Sequence, residues 1–248
     1  MLAFAPIGML PLRNAATPPG SDSWEDCASN VARESVTFAY RAVMAMSSPI
    51  VQRWGRLTVS GLEHLPSSGP VLVVGNHDSY WDPIAIGTAA MQRRQIQALT
   101  KSSLWRNRLL GKVLDGMGQI PIDRGTGDVG ALKRAITELH GGACIGIFPE
   151  GTRSRGRELR ARSGLARIAE AVPQAQIVCC TVEGTVDIVR FPARPRIRVR
   201  FFAPAAGLVS GGSSSELPAR LLAEIRAAAP IVACGRRGRI ASPKNPQG

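Results

Sequence analysis

Residues 70–83 read PVLVVGNHDSYWDP, and this stretch decides the fold class that we expect for the chain. The apolar run before Asn76 is rich in β-branched valine and predicts a buried strand. Pro83 suits the first turn of a helix, where a missing backbone N–H costs nothing. The stretch therefore predicts a strand, a polar loop that carries His77 and Asp82, and then a helix.

The same alternation of strand and helix continues along the chain. Further strands are predicted at 57–62, 96–100, 119–122, 142–149, 176–184 and 196–203. Further helices are predicted at 104–118, 128–140 and 216–230, with another that ends near residue 172. This order predicts an α/β fold, with a mixed, partly parallel central sheet flanked by helices.

Composition changes divide the chain into four segments. They are a disordered tail (1–30), an N-terminal amphipathic, membrane-associating helical segment (31–56), an α/β domain (57–232) and a basic disordered tail (233–248).

The N-terminal helical segment has one apolar side. Val36, Tyr40, Val43 and Met44 recur at spacings of three and four residues, as on one face of a helix. That face could pack on the core of the domain or lie in a membrane surface. A long helix, or a hairpin broken at Pro49, could do both.

The charge of the chain favours phosphate-bearing partners. Its 31 Lys and Arg against 18 Asp and Glu give a net charge of +13, which suits nucleic acid, an anionic membrane surface or an acidic carrier protein. General solubility is the simpler explanation. Low aromatic content and the lack of a nucleic-acid motif argue against nucleic acid.

Five cysteines without a CxxC spacing favour a reducing cytosol. No run approaches the roughly 20 apolar residues of a spanning helix.

The segment GNHDSYWD admits two interpretations. Asn76 and His77 could belong to a two-metal phosphoesterase centre, or His77 and Asp82 could form a base and its orienting carboxylate. A two-metal centre needs several His and Asp ligands from separate loops, yet the chain has only three histidines, the others being His64 and His140. The sequence therefore predicts no metal.

The second interpretation requires a turn between His77 and Asp82. Positions five apart on a continuous helix diverge by roughly 140°. The end of the strand before His77 and Pro83 after Asp82 supply such a turn. Each residue also has a purely structural alternative, because Asp82 could cap the helix that starts at Pro83 and His77 could be a hydrogen-bonded loop residue.

Two later stretches also follow predicted strands. IFPEGTRS (147–154) contributes Glu150, Thr152 and Arg153, and GQIPIDR (118–124) ends on Arg124. Arginine suits bidentate contact with phosphate. Five arginines lie in TRSRGRELRAR (152–162), as a solvated face or as a docking site for phosphates or an acidic carrier protein.

NHDSYWD, IPIDR and FPEGTRS, in this order, resemble the first three motif blocks of the glycerophospholipid acyltransferases, the 1-acyl-glycerol-3-phosphate acyltransferase family. The resemblance covers roughly residues 55–205. In the fourth block, IVCCTVEGT lacks the Val-Pro pair typical of the family, so the acceptor subclass stays open.

The resemblance implies an assignment of site residues. His77 would be the general base and Asp82 would hold its imidazole in the useful tautomer. Glu150, Gly151 and Thr152 belong to the block that would shape the acceptor site. Arg153 and Arg124 would grip the phosphate, and Lys101 is a weaker candidate for substrate binding. No cofactor and no metal are implied.

The implied reaction moves a fatty acyl group from acyl-CoA or acyl carrier protein to the hydroxyl of 1-acyl-glycerol-3-phosphate at a membrane surface. Glycerol 3-phosphate, another lysophospholipid or a glycolipid hydroxyl are alternative acceptors. Adjacent Cys179 and Cys180 could accept the acyl group themselves, although a buried strand explains them better. The alternatives from other functional classes are a nucleic-acid-binding protein and a catalytically inactive lipid-binding relative.

Overall fold

The computed structural model describes residues 36–123, 125, 127–188, 194–205 and 215–231, in which strands and helices alternate. The strands are β1 (Thr58–Ser60), β2 (Val71–Gly75), β3 (Gln97–Lys101), β4 (Ile120–Ile122), β5 (Cys144–Ile147), β6 (Gln176–Glu183) and β7 (Arg198–Phe202). The α-helices are α1 (Phe38–Ser48), α2 (Asp82–Ala90), α3 (Arg108–Gly116), α4 (Val129–His140), α5 (Gly164–Ala171) and α6 (Leu217–Ala228). Shorter 3-10 turns lie at Leu62–His64, Ser102–Arg106 and Thr185–Asp187, and a π-helical turn at Pro49–Trp54.

The seven strands of the described residues form one sheet in the order β1-β7-β6-β2-β5-β3-β4. Neighbouring strands are parallel except β6 and β7, which are antiparallel. The predicted α/β fold with a mixed, partly parallel central sheet is therefore confirmed.

Strand β2 lies between β6 and β5 and is parallel to both. The segments that follow Gly75, Ile147 and Glu183 therefore leave the sheet at the same edge. Strands β3 and β4 run in the same direction as β5, so Lys101 and Ile122 end at that edge too. Parallel strands place ligand sites at their carboxyl ends.

Helices cover both faces of the sheet. Val71 and Val73 of β2 pack with α2 on one face, and the alternate residues Leu72 and Val74 pack with α4, α5 and α6 on the other. All five residues of β2 are buried. A strand covered on both faces needs a continuous apolar run, which explains the sequence VLVVG.

Helix α1 packs on this domain through Tyr40 and Met44, which are both buried. It lies so close to α2 that a Cβ atom on Gly87 would come within 2.8 Å of both side chains. The opposite side of α1 leaves Phe38 87% and Met46 79% exposed. One side of the helix therefore belongs to the core, and apolar side chains on the other remain open to solvent.

Within the described residues, no helix combines the length and hydropathy that crossing a bilayer requires. The two predicted tails, 1–30 and 233–248, lie outside the described residues, as do residues 31–35 of the helical segment.

Candidate active site

The imidazole of His77 and the carboxylate of Asp82 meet at the carboxyl edge of β2. His77 Nδ1 lies 3.0 Å from Asp82 Oδ2, and both side chains are buried. The loop between β2 and α2 supplies the turn that this contact requires. Because Nδ1 faces the carboxylate, Nε2 is the ring nitrogen left to exchange a proton with a ligand.

Asp82 is the first residue of α2, and its carboxylate turns back into the preceding loop instead of capping the helix. Its Oδ2 accepts hydrogen bonds from the backbone N–H groups of Asp78, at 2.6 Å, and Ser79, at 2.7 Å. Its Oδ1 accepts a short hydrogen bond from the hydroxyl of Thr185, after β6. These three hydrogen bonds fix the carboxylate against His77, and the helix-cap alternative for Asp82 is wrong.

The backbone of His77 is held on both sides by the loop after β5. Its N–H donates to Glu150 Oε2 at 3.0 Å, and its carbonyl accepts from the N–H of Ser154 at 2.8 Å. The imidazole stacks on the ring of Phe148, with centroids 4.3 Å apart and an angle of 15° between planes. The orientation of His77 is therefore set by the FPEGTRS segment as well as by Asp82.

A largely buried ionic cluster of Arg226, Asp78 and Glu150 lies behind His77. The guanidinium of Arg226, from α6, donates to Asp78 through Nη1 and Nη2, each at 2.9 Å. The same group donates to Glu150 Oε1 through Nε at 2.9 Å and through Nη2. Asp78 also accepts from the Ser154 hydroxyl. The two carboxylates that flank His77 in space thus share one arginine.

Burial and hydrogen bonding shift the pKa values of Asp78, Glu150 and Arg226 in opposite directions. Burial raises the pKa of Asp78, but hydrogen bonds from Arg226 and Ser154 outweigh it and hold this pKa below the ordinary value. Burial raises the pKa of Glu150, and the contacts with Arg226 offset that only in part. Burial lowers the pKa of Arg226, but its hydrogen bonds to Asp78 and Glu150 raise it by more, so this pKa lies above its ordinary value.

A cavity of about 860 Å³ opens in front of His77. Of the residues predicted from sequence, Lys101, Gly151, Thr152 and Arg153 line it together with His77. Its other basic lining residues are Arg155, Arg162 and Arg167. The guanidinium carbon of Arg153 lies 3.4 Å from the ring centroid of Tyr80, which is stacking distance.

The two remaining residues predicted to bind substrate are Arg124 and Glu150. Arg124 lies outside the described residues. Glu150 is 1% exposed and both its oxygens are engaged, with Arg226 and with the His77 N–H, so it supports the site from behind.

A second, apolar cavity of about 310 Å³ adjoins the first. It extends between the sheet and helices α1, α2 and α3, and Tyr80, Leu104, Ile147 and Phe148 line both cavities. A ligand with a charged end and a hydrocarbon chain matches this pair of spaces in polarity.

Sequence reasoning missed Asp78, Ser154, Thr185 and Arg226. Arg226 had a weak signal, because it follows Leu222 by four residues and so falls beside the apolar face of its helix. An arginine at that position needs a buried partner. Nothing in the spacing indicates that the partners lie in the first and third motif blocks.

The cysteines of β6 are unsuited to accept an acyl group. Cys179 and Cys180 are buried free thiols. Burial, aided by the charge of Glu224, raises the pKa of Cys179 to about 12, and burial raises that of Cys180 well above the ordinary value. The thiolate is the nucleophilic form, so neither side chain is activated. Among the described residues, no three His, Cys, Asp or Glu side chains converge as a metal site would need.

A sequence model of the family described as Acyltransferase matches residues 56–183, more than half of the chain. The chain is 31% identical over 137 residues to the 1-acyl-sn-glycerol-3-phosphate acyltransferase LPAT1, chloroplastic, of Arabidopsis thaliana, a match that covers 54% of this chain and 38% of that protein. It is 28% identical over 130 residues to the 1-acyl-sn-glycerol-3-phosphate acyltransferase of Bacillus subtilis strain 168, covering 52% of this chain and 64% of that protein. The matched region is thus less than two thirds of either relative.

The crystal structure of the 1-acyl-sn-glycerophosphate (LPA) acyltransferase PlsC from Thermotoga maritima has a similar fold. The TM-score is 0.58 at 20% identity, covering 76% of this chain and 79% of that one. The fold agrees with the family assignment that the motif blocks led us to expect. The chain belongs to the Acyltransferase family.

Proposed function

We propose that this protein transfers a fatty acyl group from acyl-CoA or acyl carrier protein to the free hydroxyl of 1-acyl-glycerol-3-phosphate, forming phosphatidic acid. The observation that carries the proposal is the 3.0 Å contact between His77 Nδ1 and Asp82 Oδ2 at the wall of a basic cavity. The reaction named for the Arabidopsis and Bacillus relatives supports the choice of acceptor.

In the proposed reaction, His77 Nε2 takes the proton from the acceptor hydroxyl as its oxygen attacks the thioester carbonyl. The C–S bond then breaks, and the leaving thiolate receives the proton back from the imidazolium. Asp82 stabilises that imidazolium and keeps the proton on Nδ1 in the neutral ring. The acceptor's hydroxyl occupies the role that serine has in a hydrolase, so no acyl-enzyme is needed.

The basic lining of the larger cavity supports a phosphate-bearing acceptor. Arg153 presents a planar guanidinium that can contact two phosphate oxygens at once, and Lys101 adds a point charge at the end of β3. Arg124 keeps its assignment as a second phosphate contact. Holding the phosphate fixes the hydroxyl near His77, and proximity of this kind can contribute several kcal/mol. The adjoining apolar cavity provides space for a fatty acyl chain.

We place the protein at the cytoplasmic face of a membrane, as a peripheral or monotopic protein. The exposed apolar side chains Phe38 and Met46 on α1 and Leu109 on α3 support membrane contact. The net charge of +13 suits anionic lipid.

An acceptor panel tests the reaction. Purified protein receives one labelled acyl-CoA with 1-acyl-glycerol-3-phosphate, glycerol 3-phosphate, a lysophospholipid with a substituted phosphate, or a lysoglycolipid, and products are identified by mass. We expect phosphatidic acid to form fastest. Preferred acylation of an acceptor without phosphate would contradict the assignment of Arg153, and repeating the assay with acyl carrier protein identifies the donor.

A sedimentation experiment tests the membrane partner. At physiological salt we expect the protein to sediment with anionic vesicles and not to be retained by DNA. The variant Phe38→Ser/Met46→Ser should sediment less, whereas Val129→Ser, an exposed apolar position on α4, serves as the matched control. Retention on DNA without vesicle binding would favour the nucleic-acid alternative.

A further inference from the structure

We propose that Arg226 is a positioning residue that orients the His77 imidazole for proton transfer, acting through Glu150 and Asp78. The inference rests on the proposed role of His77 as the base. It assigns a function to α6, which lies outside the three motif blocks and outside the matched residues 56–183.

Arg226 bridges two loops of the site. Its planar guanidinium makes four hydrogen bonds to two carboxylates, one from the loop after β2 and one from the loop after β5. Its side chain is 12% exposed, against 9% for Asp78 and 1% for Glu150. The cluster is therefore shielded from solvent, and each charge depends on the others.

The backbone of His77 connects this cluster to the imidazole. The Glu150 oxygen that is not bonded to Arg226 accepts the backbone N–H of His77. Asp78 is the next residue after His77 and accepts the hydroxyl of Ser154, whose N–H donates to the His77 carbonyl. Both polar backbone groups of His77 are thus bonded to residues that Arg226 or its partner carboxylate holds.

Packing of α6 on the domain does not by itself require an arginine at position 226. The neighbouring inward residues of α6, Leu221, Leu222 and Ile225, are buried and apolar. Apolar side chains in place of Arg226, Asp78 and Glu150 together would avoid the desolvation cost of three charges, and such replacement of a whole ionic cluster is often neutral or stabilising. Apolar residues could not fix the relative orientation of the two loops. The four hydrogen bonds from the planar guanidinium do fix it. The cluster therefore fits an orienting role better than a purely stabilising one.

The test uses Arg226→Met and Arg226→Lys. The control is Arg220→Met, which removes the same charge from the same helix. The chain has only three histidines, so ring-labelled histidine gives a spectrum of three imidazoles in which His77 can be assigned with His77→Gln. In the wild type, the Nδ1 proton shared with Asp82 should give a downfield resonance. We expect that resonance to move upfield or broaden in Arg226→Met and to stay in Arg220→Met.

Turnover provides the second readout. Misplacing a reacting group by about 1 Å can cost roughly 10²-fold, so Arg226→Met should lower kcat by about that factor while KM for the acceptor changes little. Lysine keeps the charge but not the fork, so Arg226→Lys should recover part of the loss. A residue that only stabilised the fold would lower the melting temperature and leave kcat of the folded enzyme unchanged.

If Arg226→Met does not fold, Arg226→Met/Glu150→Gln, which removes one of the two carboxylate charges left without the arginine, is measured against Glu150→Gln alone. A displaced His77 resonance supports the proposal in either variant. A His77 spectrum and kcat like those of the wild type overturn it. The spectrum requires no substrate, so it tests Arg226 even if the wild type fails to acylate the proposed acceptor.

Discussion

Glu150 accepts a hydrogen bond from the backbone N–H of His77 at 3.0 Å, although the two residues are 73 positions apart. This bond joins the loop after β2 to the loop after β5, two neighbouring parallel strands. The glutamate of the third motif block thus lies behind the histidine of the first. Its contribution to an acceptor site is therefore expected through His77 and through the following residues, Gly151 to Arg153, which line the cavity.

Replacing His77 with alanine should remove the base and leave the fold intact. We expect the rate of acyl transfer to fall at least about 10²-fold, the usual contribution of a general base. The assay follows labelled acyl-CoA, with the melting temperature measured in parallel. His64→Ala changes an exposed histidine in a 3-10 turn and should leave the rate unchanged. Turnover by His77→Ala within a few-fold of the wild type would exclude the proposed base.

Asp82→Asn should lower kcat strongly because the ring tautomer of His77 depends on the carboxylate. In a serine-protease triad the corresponding change costs roughly 10⁴-fold, and we expect a loss of about 10³- to 10⁴-fold here. Thr185→Val removes one hydrogen bond to the other oxygen of Asp82. It should destabilise the fold by about 1.5–3 kcal/mol and reduce kcat far less. Equal losses of kcat in the two variants would show that Asp82 is only a structural residue.

The sequence predicts those parts of the site that are determined by residues close together in the chain. The run VLVVG predicts β2, and Pro83 predicts the start of α2, so the position of His77 at a strand end followed from residues near it. The contact of Glu150 with His77 depends on which strands pair, and the alternation of elements does not specify that order. For the same reason the sequence did not reveal the role of Arg226. This residue is 148 positions from Asp78 and reaches it only because α6 packs beside β6 and β2.

Arg153→Ala should weaken acceptor binding more than it slows the chemical step. We expect KM for a phosphate-bearing acceptor to rise at least about tenfold, because a bidentate charged contact is lost. Tyr80→Leu removes the ring beneath the guanidinium, and an exposed cation–π contact of about 0.5–1 kcal/mol corresponds to a two- to fivefold rise in KM. Tyr80→Phe keeps the ring and should resemble the wild type. A fall in kcat without a change in KM in Arg153→Ala would contradict phosphate binding.

Acid should destabilise the fold in part through Asp78. The pKa of Asp78 in the folded state lies below its ordinary value, so this carboxylate stabilises the fold above the unfolded pKa of about 3.9 and loses that effect as pH falls. The raised pKa of Glu150 has the opposite sign, and its contribution is lost as pH rises above about 4.3.

The measurement is urea unfolding of the wild type and of Asp78→Asn between about pH 6 and about pH 3. The stability difference between the two proteins should shrink as pH falls through about 4. A difference that stays constant over this range would show that Asp78 is not held ionised by Arg226 and Ser154.

Cys179→Ala and Cys180→Ala should both retain acyl transfer. The raised pKa values of these thiols, caused mainly by burial in β6, leave almost no thiolate near neutral pH, so neither can act as an acyl-accepting nucleophile. Each change removes a buried sulfur and should cost about 1 kcal/mol of stability, within the usual range for core substitutions. The rate with labelled acyl-CoA should stay within about threefold of the wild type at a temperature where the variants are folded.

Intact-protein mass during turnover gives an independent check, because a covalent route would add one acyl group to the wild type and none to the inactive cysteine variant. An acyl adduct on the chain, lost together with activity in Cys180→Ala, would replace direct attack by the acceptor hydroxyl with a two-step mechanism.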